Sequence, residues 1–315
     1  MASRYLVTGG AGFIGSNIVE ELLKRGQQVR VFDNLATGKK ENLAAFSKDI
    51  EFIEADLRDE EAIRNATKGC DYVLHQGALG SVPRSINDPV TTNEVNIRGT
   101  LNALMAARDA GVKRFVAASS SSVYGNTPTL PKIESMTMLP RSPYAVSKLA
   151  TEKYCQAFHA CYGLETIALR YFNIFGPRQD PNSQYAAVIP LFITWAMADK
   201  KPIVHGDGLQ SRDFTFVENA VSANLLACEA PAEKVAGEFF NVACGARYSL
   251  MDILKGIGES LGKKIEPNHE PTRAGDVRDS LADISKIQDA MGYKVLVPME
   301  EGLRRTVEYF TRVAQ

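Results

Sequence analysis

The feature that most limits what this chain can fold into is a cluster of glycines set between an apolar segment and a helical one. Arg4–Thr8 is a short apolar run; Gly9, Gly10, Gly12 and Gly15 follow, and residues 13–25, beginning Phe13-Ile14, carry apolar residues at helical spacing up to Gly26. A strand that turns on glycines into a helix lets the backbone approach a pyrophosphate closely. The helix N-terminus then offers N–H donors and the positive end of its dipole. A second apolar run, residues 29–32, ends at Asp33, about 20 residues on, where a carboxylate accepts the hydroxyls of an adenosine ribose. The same carboxylate would repel a 2′-phosphate. Positions 34 and 35 are Asn34 and Leu35 rather than arginine, so NAD is expected over NADP.

Further short β-rich runs recur at residues 50–54, 72–75, 115–118 and 166–169, with helical segments such as 94–110 and 144–162 between them. Strands alternating with helices of 10–15 residues imply βαβ units and a parallel sheet, so the expected class is α/β, a Rossmann-type doubly wound sheet. After Arg170 the rhythm breaks and residues 188–198, 250–261 and 301–313 read as separate helices. At roughly 150 residues per domain, 315 residues suggest two. The expected division is a dinucleotide-binding domain over 1–172 and a smaller, mainly helical substrate domain over 173–315, some of whose segments return to the sheet.

Composition narrows the function. Lys and Arg total 36 against 37 Asp and Glu, without a basic face for nucleic acid or an acidic membrane. The longest apolar stretch, residues 186–198, is interrupted by Pro190 and falls short of the ~20 residues of a membrane span. No signal peptide is expected at the N-terminus. Five cysteines without a C-x-x-C spacing and four unpaired histidines read as packing residues of a cytoplasmic protein with no metal.

Two patterns suggest chemistry. Tyr144 and Lys148 stand at i and i+4 of one helical segment, on one face. An ammonium beside a phenol, with a cationic ring nearby, would lower the tyrosine pKa from ~10 toward neutrality and make it a general base. The pair alone is a frequent coincidence, and a serine run is most often a polar loop. Yet Ser119-Ser120-Ser121-Ser122 closes the run 115–118, at the carboxyl end of a strand where open α/β sheets bind ligands.

In order, the G-x-x-G-x-x-G turn, the serine run and Tyr-x-x-x-Lys resemble the extended branch of the short-chain dehydrogenase/reductase family. Within it the chain resembles nucleoside-diphosphate-sugar 4-epimerases, most closely the bacterial and archaeal UDP-N-acetylglucosamine 4-epimerases. The resemblance implies a Ser120/Tyr144/Lys148 triad, and cofactor contacts from Asp56, Leu57, Gln76, Ala78 and Asn96 besides the glycine turn, Asp33 and Asn34. Phe172 would back the nicotinamide, and Asn173, Arg212, Arg273 and Asp276 would hold the diphosphate and ribose. Gly80, Ser81, Ser121, Ser122, Gln179, Ala187, Val188 and Ser280 would line the sugar side.

Related dehydratases carry an acid pair after the catalytic hydroxyl, and decarboxylases keep a Glu there. Here Ser121 and Ser122 supply no carboxyl, so elimination is not expected. The implied chemistry is oxidation at C4, rotation of the 4-keto sugar and hydride return to its other face. Ser280 falls where glucose-restricted relatives carry a bulky Tyr, which leaves room for a 2-acetamido group. The expected substrates are UDP-GlcNAc/UDP-GalNAc, with UDP-Glc/UDP-Gal also accepted. UDP-glucuronate is the alternative, because Arg84 could meet a C6 carboxylate. A binder of NAD without catalysis is disfavoured by the intact Tyr-x-x-x-Lys. Family resemblance also implies a homodimer, paired through the helices of 94–110 and 144–162.

Overall fold

The computed structural model describes residues 2–183, 187–272 and 278–314. Strands β1 (Arg4–Thr8), β2 (Gln28–Asp33), β3 (Ile50–Glu54), β4 (Tyr72–His75), β5 (Arg114–Ser120) and β6 (Glu165–Tyr171) alternate with helices α1 (Phe13–Lys24), α2 (Glu60–Thr67), α3 (Val82–Asn87), α4 (Pro89–Asn93), α5 (Gly99–Asp109) and α6 (Pro143–Tyr162). Then follow β7 (Ile174–Phe175), α7 (Val188–Met197), β8 (Ile203–His205), β9 (Ser211–Arg212), β10 (Thr215–Phe216), α8 (Val217–Glu229) and α9 (Ala232–Val235). β11 (Glu238–Val242), β12 (Tyr248–Ser249), α10 (Leu250–Leu261), β13 (Asn268–Glu270), α11 (Ser285–Met291) and α12 (Met299–Val313) complete the chain.

Seven strands form one parallel sheet in the order β11-β6-β5-β4-β1-β2-β3. β11 comes from the C-terminal half yet lies against β6, and the direction of winding reverses between β1 and β4. That reversal opens a crevice beyond the carboxyl ends of the strands, the usual ligand position in such sheets.

Period-two alternation sends the strand side chains into two layers. Val7, Val31, Val116 and Leu169 join Ile18, Val19 and Leu22 of α1 in one core, while Leu6, Phe32, Val73 and Phe115 join Ile63 of α2, Leu104 of α5 and Phe158 of α6 in the other. The first core runs without a break into Phe192 of α7, Ile253 and Ile257 of α10 and Leu303 and Phe310 of α12. The apolar interior is therefore continuous across position 172.

Local signals set the helices that carry the site. Ser142 caps α6 by accepting the Ala145 N–H at 3.1 Å, Pro143 takes its first position, and Gly163 ends it at φ 71°. The segment 94–110 departs from the single helix expected there. Helical chain already begins at Pro89, widens into one π-type turn over Glu94–Arg98 and resumes at Gly99.

Beneath β5 and β6 lies a fully buried ion pair. Arg170 of β6 reaches Glu152 of α6 through Nε at 2.8 Å and Nη2 at 2.7 Å, and both side chains are sealed from solvent. Arg170 also donates to the Tyr124 hydroxyl at 2.8 Å, while the Ser119 hydroxyl donates to Glu152. Removing one partner strands a buried charge, which costs about 3–5 kcal/mol. Arg170→Met should lose stability on that scale in urea unfolding. Adding Glu152→Leu should restore part of the loss, and an unchanged midpoint in the single variant would contradict this account.

Candidate active site

The glycine turn is built for close approach. Gly9 has φ +66°, and a Cβ there would lie 2.7 Å from the backbone of Gly77. A Cβ on Gly15 would overlap the Gly9 carbonyl oxygen, and the Gly12 N–H donates to that same oxygen at 3.0 Å. Gly12 also caps α1 without a side-chain bond. Asp33, buried at the end of β2, accepts the Ala11 N–H at 2.9 Å and the Leu35 N–H at 2.8 Å. Burial pushes its pKa up, against those two N–H groups.

These residues line a cleft of about 430 Å³: Gly9, Gly12, Phe13, Ile14 and Gly15 from the turn, then Asp33 and Asn34, Asp56 and Leu57, and Gln76, Ala78 and Gly80. Asn34 donates to Asp56 at 2.7 Å, and Arg58 binds the same carboxyl and holds its pKa well below the usual range. Tyr144 and Lys148 form the far wall.

Lys148 Nζ donates to the Ala118 carbonyl at 2.8 Å and lies 5.9 Å from the centre of the Tyr144 ring. Burial without a carboxylate partner lowers its pKa to about 8. Ser120, whose Oγ accepts the Ser122 N–H at 3.2 Å, acts to lower the pKa of the Tyr144 phenol. The expected depression of the Tyr144 pKa does not arise from the chain alone. Burial raises it more than Ser120 lowers it, so the ionised phenol needs a further positive charge in the cleft.

Two further residues expected at the cofactor have side chains that do not line this cleft. Asn96 is buried behind the cleft wall, where Oδ1 accepts the Leu79 N–H at 2.7 Å and Nδ2 donates to Ser147 Oγ at 3.0 Å. It fixes the segment after β4 onto α6. Phe172 is wholly buried against Tyr124, Val123, Ala243 and Ala282, because residues 171 and 172 leave β6 on opposite sides. Tyr171 lines the cleft instead, and Leu169-Arg170-Tyr171-Phe172 in the sequence offers two adjacent rings without showing which faces inward.

A second cavity, of about 460 Å³, adjoins the first at Ala187. Asn173, Val188 and Arg212 line it beside Phe192, Trp195 and Phe214. Asn173 Nδ2 donates to the Asp213 carbonyl at 3.0 Å and to Ser280 Oγ at 3.4 Å, and Arg212 donates to the Arg278 carbonyl at 2.8 Å. The buried Asp213 carboxylate ties this wall to β11 and its sequel through the N–H groups of Cys244, Gly245 and Ala282. Burial lifts its pKa to about 6.

Gln179 lies in the first cleft rather than the second. Its Oε1 and the Ser122 Oγ are buried without a hydrogen-bond partner among the described residues. Ser121 opens the short turn in which Ser122 sits, and Ser81 caps α3 through the Arg84 N–H. Arg273 and Asp276 lie outside the described residues. Among the described residues no group of three or more His, Cys, Asp or Glu could hold a metal, and no helix is long and apolar enough to cross a membrane.

Residues 5–243 match the NAD dependent epimerase/dehydratase family. The chain belongs to that family. It is 37% identical to the UDP-glucose 4-epimerase of Mycolicibacterium smegmatis, over 99% of this chain and 100% of the relative. The UDP-N-acetylglucosamine 4-epimerase of Methanobrevibacter ruminantium M1, solved with UDP-N-acetylmuramic acid, superimposes with a TM-score of 0.94 at 41% identity, over 99% of this chain and all of that one. A Thermus thermophilus UDP-glucose 4-epimerase solved with NAD gives 0.89 at 38% identity, over 98% of this chain and 99% of that one. The chain is an enzyme and NAD is its cofactor. The glycine cradle, the uncapped start of α1 and the buried Asp33 carboxylate fit that dinucleotide.

The lysine gives a measurable pH signature. Its ordinary pKa of 10.5 falls to about 8 on folding, so between those values the unfolded chain holds a proton that the folded one has lost. Stability should therefore gain a rising component from about pH 8 to 10.5. Lys148→Met should lack that component when the two proteins' pH–stability curves are subtracted, and parallel curves would refute the shift.

Proposed function

We propose that this NAD-dependent UDP-sugar 4-epimerase interconverts UDP-GlcNAc and UDP-GalNAc, and accepts UDP-Glc and UDP-Gal. The observation that carries the reading is that Tyr144 and Lys148 line the cleft together with Ser119 at the end of β5, and that two serines follow Ser120 where elimination would need a carboxylic acid. NAD, which the glycine turn and Asp33 would hold, would supply the hydride acceptor and donor for C4 of the sugar. The Tyr144 oxygen holds the proton of the C4 hydroxyl in the meantime, with Ser120 Oγ sharing it, and this kind of proton transfer contributes about 10²–10⁴-fold to rate. Lys148, fixed by Ala118, keeps a cation near the phenol. Asn173 and Arg212 hold the diphosphate, while Ser121, Ser122, Gly80 and Ser81 leave a polar pocket in which the sugar can turn.

The sugar preference rests on Ser280. Its small side chain accepts from Asn173 and leaves space where a tyrosine would meet a 2-acetamido group. Purified protein given UDP-GlcNAc without added NAD should build up UDP-GalNAc, followed by the anomeric protons in NMR. Ser280→Tyr should lose that activity and keep turnover of UDP-galactose; equal activity on both would refute the assignment. Arg84 borders the cleft and supports UDP-glucuronate as a second reading. Turnover of that sugar and silence with UDP-GlcNAc would favour it.

The exposed apolar residues Val90 of α4 and Val146 of α6, at 72% and 48% exposure, support pairing of two copies through these helices. Sedimentation equilibrium should give twice the chain mass of 34.4 kDa, with Val146→Glu shifting it toward one. A single-chain mass for the parent protein would overturn the pairing.

A further inference from the structure

Three side chains from distant parts of the chain close a ring of hydrogen bonds at the cofactor cleft. Asn224, fully buried on α8, donates from Nδ2 to the Tyr171 hydroxyl at 2.7 Å. The Tyr171 hydroxyl donates to Gln76 Oε1 at 3.0 Å, and Gln76 Nε2 donates to Asn224 Oδ1 at 3.0 Å. Both Tyr171 and Gln76 line the cleft, whereas Asn224 stands behind them.

The direction of the ring follows from one backbone contact. The second N–H of Asn224 Nδ2 donates to the Ala220 carbonyl at 2.8 Å, an oxygen that can only accept. That fixes which end of the Asn224 amide carries hydrogens. Its Oδ1 then needs a donor, which only the nitrogen of Gln76 supplies. The oxygen of Gln76 must accept in turn, and the Tyr171 proton is the one available. Each member donates to the next in a single sense, an arrangement in which neighbouring bonds polarise one another. Two consequences reach the cleft. The Tyr171 proton is committed to Gln76, which leaves Tyr144 as the phenol free for proton transfer. The amide of Gln76 is also locked, with one N–H outside the ring on a side chain that lines the cleft.

We infer that Asn224 and Tyr171 are positioning residues that hold the Gln76 amide as a donor toward the cofactor, and so set how slowly NAD leaves. The inference rests on the reading of this cleft as the dinucleotide site. Without the ring the Gln76 amide is free to rotate, and its oxygen, left without a donor, competes for the same place.

The test is exchange of bound NAD for isotopically labelled NAD on purified holoenzyme. Tyr171→Phe, which preserves shape, and Asn224→Leu should each speed release by about three- to tenfold, the loss of one neutral hydrogen bond. In a Gln76→Leu background, itself faster, neither change should speed release further. Rates that multiply in the double variants, or single variants that release NAD at the parental rate, would overturn the inference. Tyr171→Phe keeps the test available if Asn224→Leu fails to fold. A parent protein that neither retains nor takes up labelled NAD would overturn the reading of the cleft itself, a different outcome.

Discussion

The ion pair between Glu152 and Arg170 is the interaction on which the active-site geometry depends. It joins the middle of α6 to β6 in a region without water, where an unpaired member could not be tolerated. Tyr144 and Lys148 lie on that same helix, N-terminal to Glu152, and the Ser119 hydroxyl on β5 is bound to the same carboxylate. Ser120 is the next residue. A single pair thus sets the helix bearing the phenol and ammonium against the strand bearing the hydroxyl. The influence of Ser120 on the Tyr144 phenol follows from that alignment.

The two cavities meet at Ala187, and their walls are tied together from the same half of the chain. β11 completes the large sheet and α8 supplies Asn224 behind the wall of the first cleft, while Asp213 gathers the backbone after β11 and around Ala282 beneath the wall of the second. The continuous apolar core from α1 to α12 gives both walls a common support.

The parallel sheet was legible because its signals are local: apolar runs of strand length alternating with helical segments, and glycines at the turn. The family and cofactor were legible for the same reason, since the turn and Asp33 are a short, ordered motif. What sequence could not show was which neighbours face each other. Asn96 and Phe172 are next to the cleft in the chain but turn away from it, and Tyr171 turns in. Gln179, Asp180 and Ser183 line the first cleft, although they follow β7 in the chain. Asn224 lies 148 residues from Gln76, and no spacing rule connects an asparagine inside a mostly buried helix to a glutamine after a strand.

Asp33 carries a consequence for redesign. The carboxylate that would meet the ribose hydroxyls also receives the N–H groups of Ala11, inside the glycine turn, and of Leu35, a non-glycine residue held at φ 59°. Recognition of the adenosine end and the shape of the loop around it are therefore one piece of structure. Exchanging Asp33 for a small or basic residue to admit a phosphorylated dinucleotide would remove two backbone supports along with the repulsion. A change of cofactor in this scaffold would have to begin with a substitute acceptor for those two amides, before any new arginine is placed.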